Sequence, residues 1–235
     1  MSRKAVWIGF VAGLAILAFM FATGYAEGGM GSYTVQNENL VVENEYGIRT
    51  AYIYAEIVNT GSTNIELDES VAFLNTEDGS PVTQTTSIRM VPEVLKPGAT
   101  GYLYAYEDLH EAAADPTEVK FSVKAADARL YEIEDCNIGE PYFTKEKEFY
   151  RETTYMDVVV NNDTDAPMYD FTVCFITKEK DTGKIVGLDI RMNVNVIGIP
   201  AKSSIIVRQE KYSMDEIDTS KYELSAIGYI TKFAK

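Results

Sequence analysis

The chain has 235 residues, of which 36 are acidic and 21 basic, giving a formal charge of −15 at pH 7. Such a field repels nucleic-acid phosphates and anionic headgroups, which are bound by clustered Lys and Arg, so polyanionic partners are excluded. Two cysteines, Cys136 and Cys174, are too few for a disulfide-dependent scaffold; outside the cell they could pair or remain separate thiols.

In chain order, Arg3 and Lys4 precede an uncharged run from Ala5 to Ala22, which closes in Gly24-Tyr25-Ala26. A basic start, an apolar stretch and a small-residue end are the parts of a signal peptide. The same run also reaches the lower limit of a membrane-spanning helix. Residues 1–26 are therefore expected to direct export across the cytoplasmic membrane, either cleaved or retained as an anchor. The remainder is expected in the cell envelope or outside the cell, meeting the membrane only through residues 5–22. Without the two basic and no acidic residues of this leader, the formal charge becomes −17.

Next come short segments of β-branched and aromatic residues separated by polar turns. Tyr52–Val58 ends at the corner Asn59-Thr60-Gly61-Ser62-Thr63-Asn64, and alternation predicts Ile53, Ala55 and Ile57 buried with Tyr52, Tyr54 and Glu56 outward. Ser70–Asn75, the turn Asp78-Gly79 and the turn Pro97-Gly98 follow, leading into Gly101–Tyr106. Ala-rich Asp108–Ala114 is predicted as a short helix stopped by Pro116. The second half repeats the order: Tyr155–Val160, the corner Asn161–Asp165, Tyr169–Ile176, the turn Thr182-Gly183, then Pro200 before Ser204–Val207. Asn59 and Asn161 are 102 positions apart, as are Phe73 and Phe175, whereas Pro97 and Pro200, and Asp115 and Asp218, are 103 apart. A slip of one position taken up in loops is what an internal duplication tolerates. The expectation is an all-β chain of two tandem immunoglobulin-like β-sandwich domains, 27–127 and 128–235, after the leader. Asn59 and Asn161 are assigned as structural caps, and Pro97, Gly98 and Pro200 as turn residues.

The stretches "YAEIVNTGSTNIELDESVAFLNTEDGSPV" and "LKPGATGYLYAY", with "MDVVVNNDTDAPMYDFTVCFITKEKDTGKIV" and "IPAKSSIIV", carry a resemblance. The chain resembles a family of exported bacterial proteins with a small immunoglobulin-like sandwich, named for a motif of the form Phe-x-Leu-Tyr-Asp. Asn59, Phe73, Asp78, Gly79, Pro97 and Gly98 match its pattern, as do Asn161, Phe171, Phe175, Gly183 and Pro200. The five-residue signature itself reads Val71–Asn75 in one half and Phe171–Phe175 in the other, and Ala201 stands where the turn glycine is expected. The resemblance implies a fold and an exported class, with no activity attached.

Catalytic groups are sparse. His110 is the only histidine, its sequence neighbours are Glu107 and Glu111, and no nucleophile motif accompanies it. Oxygen-rich corners at Asn161, Asn162, Asp163 and Asp165, and at Asp215, Glu216 and Asp218, are the places a calcium ion could occupy, without the twelve-residue loop spacing. No catalytic residue, metal ligand or cofactor is assigned. Tyrosine is abundant, with 16 copies; Tyr52, Tyr54, Tyr102, Tyr104 and Tyr106 are the candidate protein-contact residues if their stripe faces outward. The expected function is a non-catalytic secreted or envelope module that contacts another envelope or extracellular protein, or spaces other components. The alternatives are a binder of a small solute or glycan at the domain junction, and a carboxylate-based hydrolase.

Overall fold

A computed structural model describes residues 32–45, 47–148, 151–193, 198–211 and 217–234; the leader lies outside them. The first half contributes β1 (Tyr33–Glu45), β2 (Ile48–Asn59), β3 (Ile65–Leu67), β4 (Val71–Asn75), β5 (Pro81–Thr85), β6 (Arg89–Val91), β7 (Val94–Leu95), β8 (Thr100–Asp108), β9 (Glu118–Ser122) and β10 (Ala125–Asp127). They form three antiparallel sheets, ordered β1-β2-β8-β6, β10-β3-β7 and β5-β4-β9. One core joins them. Ile53, Ala55 and Ile57 of β2, all at 0% exposure, meet Leu103 of β8, Ile65 of β3, and Ala72 and Leu74 of β4. The period-two alternation of these apolar residues makes the segments strands, because only a pleated strand gathers every second side chain on one face.

The second half contributes β11 (Tyr131–Asp135), β12 (Asn137–Ile138), β13 (Tyr142–Glu148), β14 (Arg151–Asn162), β15 (Phe171–Glu179), β16 (Ile185–Asn193), β17 (Ser203–Lys211) and β18 (Tyr222–Phe233). One sheet runs β11-β18-β15-β16; the other runs β12-β14-β13, with β17 paired to β14. Met156, Val158 and Val160 of β14 face Phe171, Val173 and Phe175 of β15 across a second core. Each described sheet takes all its strands from one side of residues 128–130.

Several expectations need correction. The predicted helix at Asp108–Ala114 is absent: β8 continues to Asp108, and turns follow. A seven-residue segment gains too few helical bonds to offset nucleation. Instead Leu109 N–H extends the sheet by donating to Arg49 O (2.9 Å), and the Arg49 guanidinium donates to Leu109 O and Ala112 O.

The second cap is Asn162, one residue beyond Asn161. Asn59 Nδ2 donates to Thr63 O (2.8 Å) and Leu95 O (2.9 Å), while Gly61 N–H donates to Asn59 Oδ1 (2.9 Å). Asn162 repeats the device, donating to Ala166 O (2.8 Å), Ile199 O (2.9 Å) and Pro200 O (3.0 Å), and accepting from Thr164 N–H (3.1 Å). Asn161 is an ordinary strand residue between Ser204 and Asn137. The offset at the corner is thus 103. Two neighbouring asparagines made the sequence ambiguous, and burial decides it.

Phe73 and Phe175 are not counterparts either: Phe73 is 41% exposed on the outer face of β4, whereas Phe175 is fully buried. The missing turn glycine is replaced by Lys202, not Ala201. Gly98 (φ 76°) and Lys202 (φ 54°) are the left-handed residues of the two turns.

Candidate functional site

Sheet β1-β2-β8-β6 has a second face, opposite its core, carrying Tyr52, Tyr54, Glu56, Tyr102 and Tyr104. Alternation predicts that face outward, and it does point away from the first core. It is nevertheless covered by the second half. Tyr54 (7% exposed) packs in one cluster with Cys174 and Ile176 of β15, Ile185 of β16 and Tyr229 of β18, with Tyr52, Tyr102 and Tyr104 half-buried around them. Burial pushes the Tyr54 phenol up, and the Asp189 carboxylate adds to the effect. Among the five stripe residues, Tyr106 stands clear at 68% exposure.

A charged clamp lies at the seam. Glu56, 6% exposed, accepts from Lys178 Nζ of β15 (2.6 Å), Asn37 Nδ2 (2.7 Å) and Gln36 Nε2 (3.1 Å). Burial alone would raise its pKa, but these three donors outweigh it and hold the carboxyl below its ordinary value. Asn37 reaches Glu56 because the register of β1 against β2 shifts between Gln36 and Asn39, with Asn37 at φ 54°. A bulge of this kind re-aims a side chain. Asn39 Nδ2 also crosses to Ile185 O (2.8 Å), and Lys96 pairs with Asp135 at 2.7 Å on the rim. Between Leu95 and Tyr229 the rim leaves a small open cleft lined mainly by apolar atoms. Neither Glu56 nor Lys178 was assigned a role from sequence. The available signal was a charge set in each of two apolar strand runs.

In the second half, the position of Tyr54 is taken by Asp157 and that of Tyr104 by Arg208, as the strand registers show. Asp157, 1% exposed, accepts from Arg208 Nε (2.7 Å), Arg208 Nη2 (2.8 Å) and Thr144 Oγ1 (2.7 Å). Arg208 also pairs with Glu146 and lies 4.7 Å from the centre of the Tyr155 ring. Burial pushes the Asp157 carboxyl up, yet the Arg208 and Thr144 bonds prevail and lower it. The face that is tyrosine-rich and covered in one half is ion-paired in the other.

The remaining candidates are occupied structurally. His110 is exposed, and its backbone N–H donates to Asp108 Oδ1 (2.8 Å). Both cysteines are free. Cys174 pairs in register with Ile227 of β18, and Cys136 N–H bonds to Gly228 O on the far side of that strand. Two strand spacings, about 10 Å, lie between them, and they join different clusters, so a disulfide cannot span them. Burial raises the Cys136 thiol to about 11, which keeps it a neutral, weak nucleophile. At the Asn161–Asp165 corner the cation is a lysine: Lys202 Nζ lies 2.6 Å from Asp163 O and 3.1 Å from Asp165 Oδ1. Asp218 accepts from Ser220 N–H and Oγ, while Asp215 and Glu216 lie outside the described residues. Among the described residues, no group of three His, Cys, Asp or Glu could hold a metal ion.

No protein-family model matches the chain, and no curated protein matches it in sequence.

Proposed function

We propose that the chain is a non-catalytic module of the cell envelope whose two halves, each an immunoglobulin-like sandwich, are locked into one rigid spacer. The observation that carries this reading is the seam. A sandwich standing alone exposes the outer faces of its sheets to water, whereas the Tyr54 face and the Cys174 face are buried on each other. Flexible tandem domains meet through smaller, more polar contacts. Residues 128–130 supply no slack, since Ala128 N–H donates to Asn64 O (2.8 Å) and Ala128 packs at the seam. The ionisable groups support the same reading, for Glu56, Lys178, Asp157 and Arg208 are spent on holding strands and halves together. Partner contacts then belong to surfaces other than the Tyr52–Tyr104 stripe.

The test is to place a protease site between Arg129 and Leu130, cleave the purified protein and follow the fragments by size-exclusion chromatography. The two pieces are expected to elute together in ordinary buffer. Fragments that elute separately, each still folded by circular dichroism, would show flexible tandem domains and sink the spacer reading.

A further inference from the structure

Leu130, just before β11, Tyr131, at its start, and Phe233, at the end of β18, are exposed apolar residues. Their exposures are 64%, 38% and 76%, and the Tyr131 and Phe233 rings lie 5.2 Å apart. Register pairs Tyr131 with Phe233, and Ala234 N–H donates to Leu130 O (2.9 Å), so the three residues lie at one sheet corner. In a chain this acidic, the local charge is balanced: Arg129 and Lys232 stand beside Glu132 and Glu134, with Lys232 bonded to Glu134. An aromatic and aliphatic corner with little net charge suits the boundary between headgroups and acyl chains.

Its location says which surface covers it. Ser32, the first described residue, accepts a hydrogen bond from Thr60 N–H (2.9 Å), so the N-terminal segment leaves the fold beside the Asn59 corner. The same corner holds the start of the second half, through the bond from Ala128 N–H to Asn64 O (2.8 Å). Leu130 follows two residues later. Between Ala22, the last residue of the apolar run, and Ser32 there are only ten steps of chain, at most roughly 35 Å. A segment anchored in a bilayer through residues 5–22 therefore keeps this corner within roughly 35 Å of the membrane surface.

We propose that Leu130, Tyr131 and Phe233 rest on the bilayer that the chain's own N-terminal segment enters, so that the rigid module stands on the membrane at a fixed angle. This rests on reading residues 1–26 as a retained anchor. Three side chains are too few to recruit a soluble protein, but a short tether supplies a high effective concentration and makes a weak contact sufficient. The formal charge of −17 beyond the leader makes a zwitterionic surface the one that fits.

The full chain is placed in zwitterionic nanodiscs whose lipids are brominated near the glycerol end of the acyl chain, with Trp7→Phe removing the only tryptophan. Phe233→Trp reports on the corner. Tyr106→Trp is the control, because Tyr106 is exposed and pairs with Tyr52, seven residues or about 24 Å along β2 from Asn59. The expected result is a blue-shifted, strongly quenched emission at position 233 and unquenched emission at position 106. A chain held in the disc with position 233 unquenched overturns the membrane contact and leaves the anchor reading standing. Quenching at both positions overturns a fixed footing at this corner. A full chain that does not enter the disc overturns the contact together with the anchor reading on which it rests.

Discussion

At the scale of single residues, the two halves are closed by the same amide. Asn59 and Asn162 are 0% and 1% exposed, and each bridges a loop and a distant strand end with both ends of its side chain. Aspartate at either site would lose the amide donor, and alanine would lose both functions and leave buried carbonyls unpaired. We expect Asn59→Ala and Asn162→Ala each to cost about 1–3 kcal/mol in denaturant unfolding. Asn161→Ala is expected to cost only a few tenths of that, since its side chain has no such duty. Equal losses at Asn161 and Asn162 would mean that the cap had been assigned to the wrong residue. Sequence alone showed that a cap was needed at each corner, because polar corners recur after matching apolar runs. It did not show which asparagine served, since adjacent identical residues differ only in the direction a strand points them.

At the scale of elements, alternation made the strands legible, and turn chemistry made their ends legible. Ile53, Ala55 and Ile57 are buried as their spacing requires, and Gly79, Gly98 and Gly183 all take positive φ. What alternation could not show was the fate of the second face. Tyr54 and Glu56 alternate out of the first core, and only the placement of β15 and β18 reveals that they enter another contact. Local propensity misled at Asp108–Ala114, where Arg49 takes the carbonyls that a helix would have used. The Pro97-Gly98 turn allows a clean separation of causes. No atom lies within 4 Å of a Cβ built on Gly98, so only its φ of 76° opposes a side chain. Gly98→Ala is expected to destabilise by about 1–2 kcal/mol through backbone strain alone. Lys202 shows that the cost can be borne, because in the second half a non-glycine residue occupies the same conformation. A neutral Gly98→Ala would indicate that this turn relaxes to negative φ without loss.

At the scale of the whole molecule, matching faces of the two halves have different fates: Tyr54 and Tyr104 join the halves, while Asp157 and Arg208 satisfy each other on the face in the same register. The clamp that fixes the seam is ionic, so the coupling between halves depends on pH. Burial opposes ionisation of Glu56, but the bonds from Lys178, Gln36 and Asn37 hold its folded pKa below the ordinary 4.5. A carboxyl lowered by folding contributes stability above its unfolded value and loses that contribution as pH falls through the folded value. Glu38 and Glu43 on β1 are raised by burial and act with the opposite sign. Both remain in a Glu56→Gln variant, so to a first approximation they cancel when it is compared with the parent. Near neutral pH, Glu56→Gln removes the carboxylate bonded to the Lys178 ammonium and leaves only the cross-strand Glu223 to balance it, which is expected to cost about 2–4 kcal/mol. The gap between variant and parent should stay constant down to the unfolded value, then close as the parent's own carboxyl becomes protonated. Urea unfolding across this range measures it directly. A gap that persists unchanged well below the ordinary carboxyl range would mean that the glutamine fails for its shape, and that charge contributes nothing to holding the halves together.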